Sequence, residues 1–360
     1  MTEQEALLVL NAVHELGAIR IRKLVGFFGS ALEVLQASLE ELSQSGILPL
    51  TIAENILHFT KDKFLQYEYN LIQRKGLVVI TSADDNFPCS LKDFEDSPVV
   101  LYIKGEAACL DQMSVALVGS RAASFYGCKS AKTFAQAFVQ AGMTVVSGLA
   151  RGIDTAAHQG SLEAGGKTIA VIGCGFNYIY PKENYSLMEM ISQQGAVISE
   201  FACAMPPLKQ NFPWRNRIIS ALSRATVVIE AGTRSGALIT ADYALSQNKD
   251  VFVLPSNIDN ETALGSNQLI QDGAKVALNP DDVLSQIKED HVLRPNEQGA
   301  LLLLSDEQQQ VYPHITYQPV HLDELVKHSG LNISSLMNIT LSLELKRVIR
   351  QLPGQYYVRN

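Results

Sequence analysis

The 360-residue chain is poor in the features that mark specialised classes of protein. Its five cysteines, at 89, 109, 128, 174 and 203, are odd in number, widely spaced, without a CxxC pair and without clustering with the seven histidines. That argues against a disulfide framework and against a zinc site, so no metal is expected. No apolar run approaches the ~18 residues that span a bilayer. The opening "MTEQEALLVLNAV" carries acidic residues where a secretory leader carries basic ones. The expectation is a cytoplasmic protein with no membrane partner. Basic residues are also in deficit, 29 Lys and Arg against 37 Asp and Glu, for a net charge of −8. This excludes a protein that coats nucleic acid through bulk charge. A local basic groove remains open, because a phosphate senses charge within a Debye length of ~8–10 Å.

Signatures of nucleotide chemistry are missing as well. "GSLEAGGKT" (160–168) resembles a Walker A loop, but its first glycine is one position out of register and it precedes a strand instead of following one. "GCGFNY" (173–178) has Tyr178 where the dinucleotide fingerprint needs its third glycine. Ser147 lies in "SGLARG", not in a GxSxG elbow. Asp154 and His158, four apart in "GIDTAAH", read as a helix cap and a packed side chain before they read as an acid/base couple. Neither an enzyme nor a bound cofactor is expected.

What is present is a change of period. Residues 1–75 have apolar positions at helical spacing with Gly and Ser breaks, which suits a small SAM-like or helix-hairpin-helix module and equally a helical cap on the next domain. From Gly76 to about 288, apolar runs of strand length alternate with amphipathic stretches: 77–80, 99–103, 115–118, 144–147, 168–172, 196–199, 226–230 and 251–254. That alternation predicts an α/β, Rossmann-like, doubly wound and mostly parallel sheet. Residues 289–299 read as a linker. Residues 300–360 show the order of a winged helix, with Lys346, Arg347, Arg350 and Arg359 on its last helix and wing. A DNA-reading and a protein-contact role are both open for that domain.

In an open parallel sheet ligands bind beyond the carboxyl ends of the strands. The loops there read "GSRAASFYG", "GLARGIDTAAHQG", "GCGFNYIYPKENY", "EFACAMPPLKQNFPWRNRII" and "AGTRSGALITA", all Gly-rich or basic. Glycine lets backbone amides approach an anion, and a helix N-terminus adds partial positive charge. The spacing therefore predicts that Arg121, Arg151, Lys182, Lys209, Arg215, Arg217 and Arg234 converge on one rim, the footprint of phosphate binding. "LKQNFPWR" adds Phe212 and Trp214 to the cations, as sequence-tolerant binding of a single strand requires.

Taken together, "VGSR" (118–121), "SGLARGIDTAAHQGSL" (147–162), "YPKEN" (180–184), "FPWRNRIIS" (212–220), "EAGTRSGALITADYAL" (230–245) and "GSNQLIQDGA" (265–274) resemble the DNA-processing protein A family, DprA or Smf. The resemblance implies a non-enzymatic protein that binds and protects incoming single-stranded DNA in natural transformation, helps load the RecA recombinase, and forms a homodimer. It implies that Gly119, Ser120 and Arg121 grip the strand, that Lys182 and Lys209 contact phosphates, and that Phe212 offers a ring to a base. Arg215, Asn216 and Arg217, with the turn of Gly232, Ser235 and Gly236, would shape the pocket, and Leu269 with Ile270 would lie in the dimer interface. The competing reading is a nucleotide-binding or nucleotide-hydrolysing enzyme related to lysine-decarboxylase-like phosphoribohydrolases, which carry PGGxGTxxE. Here Ala231 replaces the proline and Thr240 the glutamate.

Overall fold

The computed structural model describes residues 1–92, 94–293, 305–316, 320–345, 349–352 and 354–359. They fall into two compact units, Met1–Val283 and Leu284–Asn360.

The first unit opens with six helices, α1 (Glu3–Ala12), α2 (Gly17–Phe28), α3 (Ala31–Gln36), α4 (Leu39–Gln44), α5 (Leu50–His58) and α6 (Lys61–Lys75). Their ends follow from local chemistry. Thr2 with Glu5, and Ser38 with Glu41, form capping boxes, and Gly76 closes α6 in the left-handed region at φ 63°. Their apolar faces, Leu7, Leu10, Ile21, Leu24, Ile52 and Ile56 among them, share one core with Val100, Tyr102, Ala170 and Val197. The helical module is therefore packed on the following sheet. Asn11 Nδ2 donates to the Glu200 carbonyl at 2.7 Å, and the buried Glu68 carboxylate accepts from the Cys203 amide at 2.7 Å.

The sheet contains β1 (Val78–Thr81), β2 (Val100–Gly105), β3 (Ser114–Val118), β4 (Thr144–Ser147), β5 (Thr168–Val171), β6 (Ala196–Ser199), β7 (Ala225–Val228), β8 (Asp250–Val253) and β9 (Lys275–Val276). Their order is β1-β2-β6-β5-β4-β3-β7-β8-β9. β3 to β9 run parallel, and β1 and β2 form an antiparallel edge. The intervening helices are α7 (Phe125–Gln140), α8 (Ile153–Glu163), α9 (Tyr185–Gln194), α10 (Asn211–Leu222), α11 (Gly236–Ser246) and α12 (Leu264–Gln271). The strands were readable because β3 to β7 are buried throughout and so lack polar alternation. The two-residue β9 carries no such signal.

The chain steps outward from β3 to β6, then returns to place β7 on the other side of β3, with Val118 paired to Val228. The crevice beyond the ends of β3 and β7 is thus the topological switch point, where this architecture takes its ligands.

Helix α13 (Pro280–Leu293) crosses the unit boundary, so residues 289–293 are helical where a linker is expected; the rest of that segment lies outside the described residues. The second unit is a winged helix of α14 (Asp306–Val311), α15 (Leu322–Ser329) and α16 (Ile333–Leu345) with a three-stranded sheet. The strands β10 (Val320–His321), β11 (Ile349–Leu352) and β12 (Tyr356–Arg359) pair in the order β10-β12-β11 over a core of Val311, Leu325, Leu336, Leu343 and Ile349. Lys346 and Arg347 lie outside the described residues.

Candidate nucleic-acid interface

The loop "GSRAAS" (119–124) leaves β3 at the switch point and is fixed near its start, at Ser120. The Ser120 amide donates to the Glu230 carbonyl at 2.6 Å, and the Ile153 amide donates to the Ser120 carbonyl at 3.2 Å. Gly119 and Gly152 permit this closeness. A Cβ on Gly119 would lie 2.4 Å from Ile153 Cγ1, and one on Gly152, at φ 74°, would lie 2.2 Å from the Ser120 carbonyl oxygen. Arg121 is left exposed at the loop's tip, with its guanidinium carbon 5.4 Å from the centre of the Phe212 ring.

Phe212 stands in the first turn of α10, and its ring lies 5.1 Å from that of Tyr180, tilted by 48°. Gly173, just past β5, leaves room for the Phe212 ring: a Cβ there would approach Phe212 Cδ1 to 2.8 Å. The rim of the switch point therefore carries a cation over the Phe212 ring, which in turn packs against Tyr180. Beside it, Arg121, Ala122, Ala150, Arg151, Tyr180 and Pro181 line an open pocket of about 220 Å³.

Among the described residues, Arg121, Lys182, Lys209 and Arg234 are exposed and form no ion pair. Arg151 differs, since it pairs with Glu183, whose carboxylate holds the guanidinium pKa above its usual value. Unpaired exposed cations beside accessible rings can bind phosphates and stack bases at once. The N-termini of α7, α8 and α11 follow β3, β4 and β7 directly and add partial positive charge to the same edge.

Arg215 and Arg217 do not reach the rim, and this corrects the expectation that they join it. Phe212 to Leu222 form a helix, not the loop that the motif suggests, and residues on a helix turn by ~100° each. Arg215 is 3% exposed; its Nη1 donates to the carbonyls of Gly148, at 2.6 Å, and Val171. Burial pushes its pKa down to about 10, against the opposing pull of the nearby Asp154. Arg217 is 1% exposed, lies 4.2 Å from the centre of the Trp214 ring, and makes a bidentate pair with Glu200 at 2.7 and 2.6 Å. Asn216 is also buried and donates to the Gly236 carbonyl at 3.0 Å. These three residues lie beneath the rim and support it. Lys249 Nζ closes the far end of α10, donating to the carbonyls of Ser220 at 2.9 Å and Ala221 at 2.5 Å.

The Gly232–Gly236 turn borders the crevice opposite Arg121's loop. Ser235 caps α11 by accepting from the Ala237 amide at 3.3 Å, and Gly265 lets the neighbouring segment approach the Gly232 carbonyl, which a Cβ would meet at 2.5 Å. Leu269 is buried and Ile270 packs against the same core. Around this edge it is Leu264, Val276 and Leu278 that remain exposed.

Residues 78–288 match the family described as DNA recombination-mediator protein A, and residues 295–355 match the DprA winged helix domain. The chain belongs to this family. It is 35% identical over 326 residues to "Protein Smf" of Escherichia coli K12, covering 88% of this chain and 86% of that protein. It is 45% identical over 205 residues to "DNA processing protein DprA" of Streptococcus pneumoniae, covering 57% and 72%. The crystal structure of the Streptococcus pneumoniae protein superposes with a TM-score of 0.69 at 36% identity, over 79% of this chain and 98% of that one. A structure concerned with the single-stranded DNA binding mode of the Helicobacter pylori protein gives a TM-score of 0.54 at 30% identity, over 59% and 96%.

The family motifs pointed to Arg121, Lys182 and Lys209, which are exposed, and to Phe212, which stands in the first turn of α10. They did not single out Tyr180, Gly173 or Glu230. Tyr180 sits in "YPKEN" beside Lys182 and could have been noticed as an aromatic next to a cation. Gly173 had no signal, because its role depends on a ring forty positions away.

Proposed function

We propose that this protein binds single-stranded DNA across the rim of the switch point, without catalysing a reaction on it. The observation that carries this reading is the exposed Arg121, unpaired by any carboxylate among the described residues and set against the Phe212 and Tyr180 rings. A guanidinium there binds a phosphate, and the rings stack on bases of any identity at ~1–3 kcal/mol each. Lys182, Lys209 and Arg234 extend the basic edge. The Helicobacter pylori relative, whose structure concerns its single-stranded DNA binding mode, supports the same reading.

By family, the bound strand is DNA entering in natural transformation, protected in the cytoplasm and handed to a RecA recombinase by a homodimer. The apolar edge of Leu264, Val276 and Leu278 beside α12 supports a second copy as partner there, with Leu269 and Ile270 forming the layer beneath. The hydrolase reading receives no support: counted from Ala231 the required glutamate falls on Ile239, one residue before Thr240, and neither side chain is an acid.

The test is fluorescence anisotropy of a labelled oligo-dT, with wild type and Arg121→Ala titrated against salt. Binding that weakens steeply with salt, and falls by about tenfold or more in the variant, supports the reading. Salt-insensitive or absent binding of the wild type overturns it.

A further inference from the structure

Glu230 follows β7 and is 2% exposed at the floor of the switch point. Its carboxylate accepts from the Ser124 amide, at 3.1 and 3.3 Å to its two oxygens, from Ser124 Oγ at 2.5 Å, and from Thr262 Oγ1. Among the described residues no Lys, Arg or His forms an ion pair with it. Burial of a carboxylate without a cation is unfavourable, and backbone and hydroxyl donors alone compensate it here.

The position is the informative point. Ser124 is the N-cap of α7, the helix that follows the first strand of the parallel sheet. In dinucleotide-binding sheets of this topology, a pyrophosphate lies at that place, and a glycine lets it come close to the backbone. Here Gly127 has that function for the chain's own carboxylate: a Cβ on it would lie 2.3 Å from Glu230 Oε2. The main-chain carbonyl of Glu230 also receives the Ser120 amide, so one residue fills the crevice and anchors the loop of Arg121.

We infer that Glu230 is a specificity-determining residue. It occupies with an internal anion the place that a free nucleotide's phosphates would take, and so restricts the crevice to phosphates laid across its rim. Exclusion is both steric and electrostatic, since a second anion would meet a fixed negative charge in a low-dielectric site. The part of this inference that concerns the strand rests on the DNA-binding reading above, while the exclusion of free nucleotides does not.

The experiment titrates inorganic pyrophosphate and ADP into full-length wild type, Glu230→Ser and Glu230→Gln by calorimetry, with oligo-dT anisotropy in parallel. Wild type should show no saturable binding of either probe at millimolar concentration. Glu230→Ser, which removes both charge and bulk, should gain about tenfold or more in pyrophosphate affinity, with a rise in melting temperature on adding it. Glu230→Gln keeps the volume and loses the charge, and should bind pyrophosphate saturably at millimolar concentration, more weakly than Glu230→Ser. A folded Glu230→Ser that binds pyrophosphate no better than wild type overturns the inference, as does saturable pyrophosphate binding by the wild type. If Glu230→Ser does not fold, Glu230→Gln decides by the presence or absence of its gain. Loss of oligo-dT binding by the wild type would overturn the DNA reading and leave the pyrophosphate comparison standing.

Discussion

Two arginines within 5.4 Å of an aromatic ring have opposite fates in this protein. Arg121 is exposed over Phe212 without a carboxylate, whereas Arg217 is buried over Trp214 with both Glu200 oxygens bound. Phe212 and Trp214 are two residues apart on α10, hence about 200° apart around its axis. One face of the helix turns its ring to Arg121 and the other joins the elements beneath. An Arg-aromatic contact is thus not by itself a sign of binding; the state of the guanidinium's remaining donors distinguishes the two.

The contrast can be broken at several points. The largest effect on stability is expected for Arg217→Met, which leaves the Glu200 carboxylate buried without its partner. A cost of about 3–5 kcal/mol in denaturant unfolding is expected, with a loss of oligo-dT affinity in the folded protein smaller than that caused by Arg121→Ala. Arg121→Ala should do the reverse, leaving the melting temperature unchanged while affinity falls by about 1.5–3 kcal/mol and the salt slope becomes shallower by ~0.7. Phe212→Leu should lose about 1 kcal/mol of oligo-dT binding with the salt slope intact, because stacking carries no counterions. Gly173→Ala should reproduce a fraction of that loss by displacing the ring.

A pH effect sharpens the comparison from below. Burial pushes His158 down to about 3 from 6.5, so the folded protein keeps it neutral. Below pH 6.5 the unfolded chain takes up a proton that the folded chain refuses. Stability should therefore fall between pH 6.5 and about 3, by up to about 1.4 kcal/mol per pH unit from this group. Melting curves of wild type against His158→Asn across that window would measure the difference.

The strands were legible because buried parallel strands are written as unbroken apolar runs, and the exposure of Arg121, Lys209 and Arg234 because they stand in loops whose glycines and cations are local signals. The fate of Arg215 and Arg217 was not legible. Both belong to a basic run that reads as a ligand site, and only the helical phase of α10 and the distant carboxylate of Glu200 turn them inward. Glu230 was hidden for a related reason: at the end of an apolar strand it looks like an ordinary polar stop, and its partners Ser124, Gly127 and Thr262 lie far away in the chain. Sequence patterns record which face a residue takes more readily than which long-range partner it meets.

The clamping of α10 also bears on the thermodynamics of association. Lys249 holds its last carbonyls, Arg217 its flank, and Arg215 its underside, so the helix that carries Phe212 is held at three points. A preorganised platform surrenders little rotamer freedom on binding. The entropy lost on complex formation then belongs mainly to the strand, whose own bases must unstack to reach the rings. Affinity for flexible oligo-dT should consequently exceed that for oligo-dA of equal length, and the gap should narrow on warming as adenine stacks melt.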